Sequence, residues 1–403
     1  MTSRTPLILV AGWRGPTERT AHALLRPGTI VVRHDLADIY EGVVRRTLTT
    51  TDDERETILE LAHGCISCTL REDLLPLLRR LHERSTVDRI VLLLDPLIEP
   101  EALCWAIEHL VVASIVGRVD APAAHDVQVQ ATITCIDADT WLDNATGDDE
   151  LDDDRTTAQV VVSQVEFADA LVVRPGNDGW HQARLHAVLT RLASEAPMIW
   201  DEHGDIEALL RRIPPTARRG AIFDAYSPLL RGRPPLEHDC GIEIVEFTAR
   251  RPFHPARLHE ATDVLLDGVI RTRGRVWVAT QPDHALLLES AGGGLRVTQD
   301  GPWLAAMTPE QLAATNTERQ ALAALRWDER FGDRDTSMVI LIHDADPDAI
   351  RATLQWALLT DAELTESHLW ANWPDPFGNH HEDPCEPTAQ AEQETSLLEG
   401  ERR

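Results

Sequence analysis

An α/β fold, a parallel sheet flanked by helices with a smaller α+β unit behind it, is what this sequence predicts, and three observations predict it. At 403 residues the chain exceeds one ordinary core and suits two domains with a tail. Its first half alternates short apolar runs with helically spaced segments, the pattern of a parallel sheet whose crossovers are helices. From Glu243 onward the order becomes β-α-β-β-α-β, a ferredoxin-like split unit.

Taken in order, aliphatic and β-branched runs bounded by turn residues place strands at 7–11, 29–32, 43–48, 89–94, 130–136, 170–173 and 198–200. Apolar residues at helical spacing place helices at 17–25, 72–83, 101–112, 156–167 and 180–193. The acidic stretch 147–154 reads as a solvated loop, because the closing glutamate of a calcium loop is missing. The first domain therefore spans 1–213, and a linker rich in Pro, Gly and Arg follows over 214–240. Within the second domain, 241–370, strands are expected at 243–249, 269–280, 285–288 (extending past the glycines at 292–294) and 338–343. Helices are expected at 255–266, 310–325 and 347–359. Trp356 reads as core; for Trp370 and Trp373 beside Pro374 an exposed anchor for a partner is the lesser alternative to ordinary packing. The tail, 371–403, is rich in Pro, Glu and Gln and is expected to be disordered and acidic.

Composition narrows the function. A net charge of −29 disfavours coating a phosphate backbone, since nucleic-acid binding draws on cations that release counterions. A basic protein partner suits such a surface better. No apolar run approaches the roughly 18 residues of a membrane span, and the start lacks signal-peptide flanks, so the chain reads as cytoplasmic. Six cysteines are too few for a disulfide framework; Cys104, Cys135 and Cys240 read as small buried side chains. All 38 basic residues are arginine, and lysine is absent.

That absence decides how the stretch LILVAGWRGPTERTAHALL is read. A phosphate loop G-x-x-x-x-G-K-[ST] needs glycine amides around the phosphates, a lysine to neutralise them and a hydroxyl for Mg²⁺. Counted from Gly12, Thr17 stands for the second glycine, Glu18 for the lysine and Arg19 for the hydroxyl residue. What remains as a degenerate nucleotide site is Gly12, Gly15, Arg19 and Thr20, with Arg14 or Arg19 as the available charge. The other reading is an ordinary strand-turn-helix connection. Neither makes a competent GTPase.

A second motif, HGCISCTLRED, sets Cys65 and Cys68 at C-x-x-C spacing just before a helix, where the helix N-terminus favours the thiolate. Two thiolates begin a zinc site without completing it, and His63 is the nearest third ligand. A redox pair and plain packing are the alternatives.

The loop remnant, GCISC and RPFHPARLHEATDVLLDGVIRTRGRVWVA together resemble the CobW family of P-loop metallochaperone GTPases. That resemblance implies a P-loop-NTPase-like first domain with degenerate motifs and a CobW C-terminal second domain, with zinc as the metal. Its C-x-C-C motif survives at Cys65 and Cys68 with Ser67 in the middle place, and CIDADTW resembles the V-D-A element, which implies that Asp137 helps hold a metal. Its E-T-T-G-L-x-D-P stretch appears as LLLDPLIEP, with Leu93 for the glutamate and Pro96 for the glycine. Its base-reading N-K-x-D appears as RPGND, with Arg174, Pro175 and Asp178. Segments such as HGCISCTLREDLLPLLRRLHER and TNTERQALAALRWDERFGDR further resemble actinobacterial recruitment factors for ribosome hibernation. The resemblance implies a pseudo-GTPase that brings a hibernation-promoting factor to the ribosome under zinc limitation. The alternative it implies is a divergent GTP-dependent zinc metallochaperone.

Overall fold

The computed structural model of the protein describes residues 4–13, 15–61, 65–113, 117–222, 229–230 and 232–378, with Ser67 described by its backbone alone. The first sheet contains β1 (Thr5–Ala11), β2 (Thr29–Asp35), β3 (Val43–Thr49), β4 (Glu54–Glu60) and β5 (Arg89–Leu93). Beyond a small ribbon of β6 (Val111–Val112) and β7 (Ala121–Pro122) it continues with β8 (Val127–Asp137), β9 (Ala170–Arg174) and β10 (Met198–Ile199). The order is β10-β9-β8-β1-β5-β2-β3-β4, parallel from β10 to β2 and antiparallel at β3 and β4. Strands β1, β5 and β9 are buried on both faces, which is why they read as continuous aliphatic runs rather than alternating ones.

Strand β4, ERETILE, escapes the sequence reading because it lies at the sheet edge, is largely exposed, and carries charges where a buried strand carries aliphatics. The helix expected over 101–112 stops at His109, and the β-branched pair Val111–Val112 turns into strand β6. Short helices at Trp141–Thr146 and Ile206–Arg211 are additions, each too brief to show a period.

The second sheet has β11 (Ile242–Ala249), β12 (Val269–Val276), β13 (His284–Ala291), β14 (Gly294–Pro302) and β15 (Thr336–His343) in the order β11-β15-β12-β13-β14. All its neighbours are antiparallel. The single strand expected to run past the glycines at 292–294 is two strands, so the split unit gains a fifth. Gly292 turns with φ +49°, and a β-carbon there would sit 2.3 Å from the Gly147 carbonyl oxygen. The Gly293 amide donates to that same oxygen at 3.0 Å. The glycines thus let the hairpin tip press against the acidic loop of the first domain. The helix expected over 310–325 is also two, Pro309–Ala314 and Thr317–Leu325, because the Asn316 side chain caps the second by accepting from the Glu318 amide at 2.8 Å.

The two domains share one apolar layer, in which Ile136, Leu142 and Val161 meet Ile242, Ile270 and Leu341. Arg271 crosses the junction to Glu166 at 2.8 Å while also holding Glu289 at 2.6 Å. The expectation for Trp356 is reversed, and the alternative anchor reading of Trp370 and Trp373 fails. Trp356 is 51% exposed because Ile350, Leu354 and Ala357 form the inward stripe of its helix. Trp370 is buried against Trp277, its indole N–H donating to the Glu363 carbonyl at 2.9 Å, and Trp373 stacks on His254. The tail beyond 378 lies outside the described residues. Among the described residues no helix is long and apolar enough to cross a membrane.

Glu363 closes the second domain. It completes a capping box with Thr360, and its oxygens take both terminal nitrogens of Arg257 at 3.0 and 2.8 Å. Hydrogen bonding to Arg257 pulls its carboxyl from the ordinary 4.5 down to about 2. A depressed carboxyl stabilises the fold above its unfolded value and ceases to do so as pH falls through the folded one. Thermal melts should therefore show wild-type protein losing, between about pH 4.5 and 2, an increment of stability that Glu363→Gln lacks at every pH. Parallel melting curves for the two proteins would overturn this.

Candidate functional site

The segment carrying the cysteine pair is helical from Ile66, earlier than expected, and passes through a π-turn at Leu70–Leu74 before the α-helix Leu75–His82. Leu70, Leu74, Leu77, Leu78 and Leu81 all enter the core, which fixes the face of the helix. The extra residue of a π-turn rotates the chain by about one position and brings Asp73 inward. There its Oδ2 meets His34 Nε2 at 2.8 Å, and Arg46 donates to its Oδ1 at 2.5 Å. Burial pushes the Asp73 carboxyl up, but His34 and Arg46 outweigh it and hold the group below its ordinary value. The other nitrogen of His34, Nδ1, is buried and has no hydrogen-bond partner among the described residues. This cluster ties the cysteine-bearing segment to β2 and β3.

Cys65 and Cys68 are both half-buried and reduced, their sulfurs 3.1 Å apart. The Cys68 amide donates to Cys65 Sγ at 3.3 Å. Sulfurs sharing a tetrahedral zinc at about 2.3 Å each lie roughly 3.8 Å apart, so a modest spreading accommodates the ion. Among the described residues no group of three or more His, Cys, Asp or Glu is placed to hold a metal, and His63 lies outside them. Two thiolates amount to half of a tetrahedral zinc's ligand set. Cys65 opens into a cavity of about 340 Å³ whose walls include Tyr40, Leu97, Glu99 and Arg155 of the first domain and Arg296 of the second. Another cavity, of about 330 Å³ beside Ala168, Leu192 and Leu230, has no cysteine or histidine in its walls.

The remaining phosphate-loop residues are engaged in the fold. β-Carbons at Gly12 and Gly15 would approach the Cys135 carbonyl oxygen to 2.4 and 2.6 Å, so these glycines serve close packing of the loop on β8. Thr20 is buried and its hydroxyl accepts from the Cys135 thiol at 3.3 Å, a thiol that burial pushes up to about 12. Arg19 contacts His203 and lies 3.6 Å from Glu202, while Glu18 pairs with Arg33 at 2.6 Å. Arg14 lies outside the described residues.

The other motif remnants are likewise turned inward. Asp137 is buried, pairs with Arg174 and accepts from the Asp139 amide at 3.2 Å. The arginine standing in the base-reading motif thus clamps the aspartate that the sequence reading set aside for a metal. Asp178 caps the helix Gly179–Leu192, accepting from Trp180 at 2.8 Å, which is its turn role. Asp95 follows β5 where a Mg²⁺-holding aspartate stands in P-loop enzymes, yet its two oxygens accept the amides of Leu97 and Leu36 at 3.0 and 3.1 Å. Burial raises its pKa despite those two bonds. Gly12, Gly15, Thr20 and Asp137 thus gather around the end of β8, while Cys65 and Cys68 stand apart against the loops after β2 and β5. The His34–Asp73–Arg46 cluster and Arg296 were missed; nothing in TLRED separates an inward aspartate from a solvated one.

Comparison with known proteins bears on both stations. The description "CobW/HypB/UreG, nucleotide-binding domain" matches residues 35–199, a stretch that begins after the phosphate-loop position. "Cobalamin synthesis protein cobW C-terminal domain" matches residues 242–358. The chain is similar to the Zinc chaperone Rv0106 of Mycobacterium tuberculosis, with 48% identity over 408 residues covering 99% of this chain and 100% of that one. It is also similar to Zinc-regulated GTPase metalloprotein activator 1 of Dictyostelium discoideum, at 25% identity over 81% of this chain and 71% of that one. A solved structure of Zn(II)-bound YjiA GTPase from E. coli aligns at 16% identity over 89% of this chain and 100% of that one, with a TM-score of 0.38.

Proposed function

This chain belongs to the CobW family, and from that premise we propose that it is a zinc metallochaperone which holds its cargo at Cys65 and Cys68. The carrying observation is the pair itself: two sulfurs 3.1 Å apart at the mouth of a cleft between the domains. A two-thiolate donor set leaves positions on zinc open, and an acceptor protein can enter those positions one ligand at a time. The names of the two relatives, a zinc chaperone and a zinc-regulated activator, support zinc as the cargo. Nucleotide is left out of the cycle. No lysine exists to meet a triphosphate, Glu18 adds negative charge at its place, and Thr20 is bonded to Cys135.

Competition titration of the purified protein against a zinc-chelating dye checks this. Wild-type protein should take up zinc, and Cys65→Ser/Cys68→Ser should bind it about 100-fold more weakly or worse. Unchanged affinity in the double variant would sink the assignment. GTP should bind neither protein, with or without Mg²⁺.

A second reading, recruitment of a hibernation-promoting factor to the ribosome, is favoured by the net charge of −29, which steers basic partners. Affinity purification from zinc-starved and zinc-replete cells separates the two. Ribosomal proteins enriched only under starvation support recruitment, and a zinc enzyme without ribosomal proteins supports delivery.

A further inference from the structure

Strand β4 ends the eight-stranded sheet and, among the described residues, pairs with β3 alone. The Thr50 amide donates to the Asp53 carbonyl and the Leu61 amide to the Gly42 carbonyl, both at 2.8 Å. In an antiparallel ladder bonded pairs alternate, so Arg55, Thr57 and Leu59 bond inward to β3. The amides and carbonyls of Glu54, Glu56, Ile58 and Glu60 therefore point out of the sheet. The same four side chains share one face, all exposed, with Ile58 at 60%. Among the described residues none of the three glutamates forms an ion pair.

Sheet edges are commonly protected by charged side chains, proline, a bulge or a covering element, and the charges of β4 guard it against a second copy of the chain. Strand β4 has neither proline nor bulge across its seven paired residues. Its charge pattern selects an occupant. A second copy would set glutamate against glutamate, which is unfavourable between facing strands. A strand with Arg or Lys opposite Glu54, Glu56 and Glu60 and an aliphatic residue opposite Ile58 would satisfy every outward group.

We infer that β4 is a docking edge for an extended, basic segment of a partner protein, which adds to the first sheet as a ninth strand. Cys65 follows Glu60 by five positions, which at about 3.5 Å per residue puts the end of β4 within roughly 18 Å of the thiol pair. This deepens the zinc reading and rests on it for the cargo alone; docking itself has its own readout.

The probe is a fluorescent seven-residue peptide with arginine opposite each glutamate, valine opposite Ile58 and threonine between. Its control carries N-methyl groups on the amides that would face β4, leaving its charge intact. Fluorescence anisotropy with the full chain should show saturable binding, weakened about tenfold or more by N-methylation. Ile58→Pro should weaken it similarly. The proline removes only an outward amide, a place where edge strands tolerate it, so the fold and zinc uptake should persist. Glu56→Arg/Glu60→Arg should abolish binding, and Cys65→Ser/Cys68→Ser should leave it unchanged while removing zinc. Equal binding of the N-methylated peptide, equal binding by Ile58→Pro, or no binding at all would overturn the docking edge and leave the zinc assignment standing. A wild-type dimer that Ile58→Pro converts to monomer would overturn it too, by giving the edge to a second copy.

Discussion

Arg79→Ala is expected to lower the free energy of unfolding by about 3–5 kcal/mol, the largest loss from any single side chain considered. Arg79 is 2% exposed. Its Nε donates to Asp126 at 2.8 Å, and its terminal nitrogens donate to the carbonyls of Val112, Ala121 and Val119 at 3.0 Å each. Truncation would leave three carbonyls and part of a carboxylate short of donors, and a void where the buried side chain stood. Arg79→Lys should rescue little, because one ammonium cannot serve three carbonyls and a carboxylate spread across a planar fork. Urea denaturation measures the effect, and a loss under about 1 kcal/mol would show that the network contributes no more than a surface pair. Asp126 borders the start of β1, whose Thr5 amide donates to its carbonyl at 2.9 Å. The cysteines lie toward the other end of the strands, so zinc affinity of the folded variant should match wild type.

Asp73→Asn should be nearly as costly, at about 3 kcal/mol, and should also reach the metal. The carboxylate is the common acceptor for His34 and Arg46, both poorly exposed. Replacing one anionic oxygen with an amide leaves the half-buried Arg46 guanidinium short of its partner and sets N–H groups against a donor. Because Asp73 lies in the π-turn that follows Cys68, its release should loosen the helical start and weaken zinc binding in the competition titration. The sign with pH follows from the depressed carboxyl. Its contribution is complete above the ordinary 3.8 and lost as pH falls through the lower folded value, so the gap between wild type and Asp73→Asn should close in acid. A variant as stable as wild type at pH 7, with equal zinc affinity, would refute the coupling.

Much of the architecture was legible in the residues because burial writes itself into composition. Strands β1, β5, β8 and β9 and the helices Thr157–Glu166 and Gly179–Leu192 fell where aliphatic runs and helical spacing put them. Strand β4 did not, since an exposed edge imposes no apolar pattern. The β13–β14 hairpin was read as one strand because glycines at 292–294 can break a strand or bend it, and only contact with Gly147 shows which. The helix expected over 310–325 is broken in two at Asn316, whose capping role depends on a local bond rather than on period.

The candidate site divides along the same line. The residues alone determined that no lysine can neutralise a triphosphate and that two cysteines stand at ligand spacing, because these are facts of side-chain chemistry and short-range order. Only the tertiary structure decided that Thr20, Asp95 and Asp137 are already bonded within the fold, that Asp73 turns inward to His34 and Arg46, and that the second domain brings Arg296 to the cysteine cleft. Each of these joins groups dozens of positions or more apart in the chain. Which pairs meet is settled by how sheet, helices and domains pack, and local sequence carries no record of it.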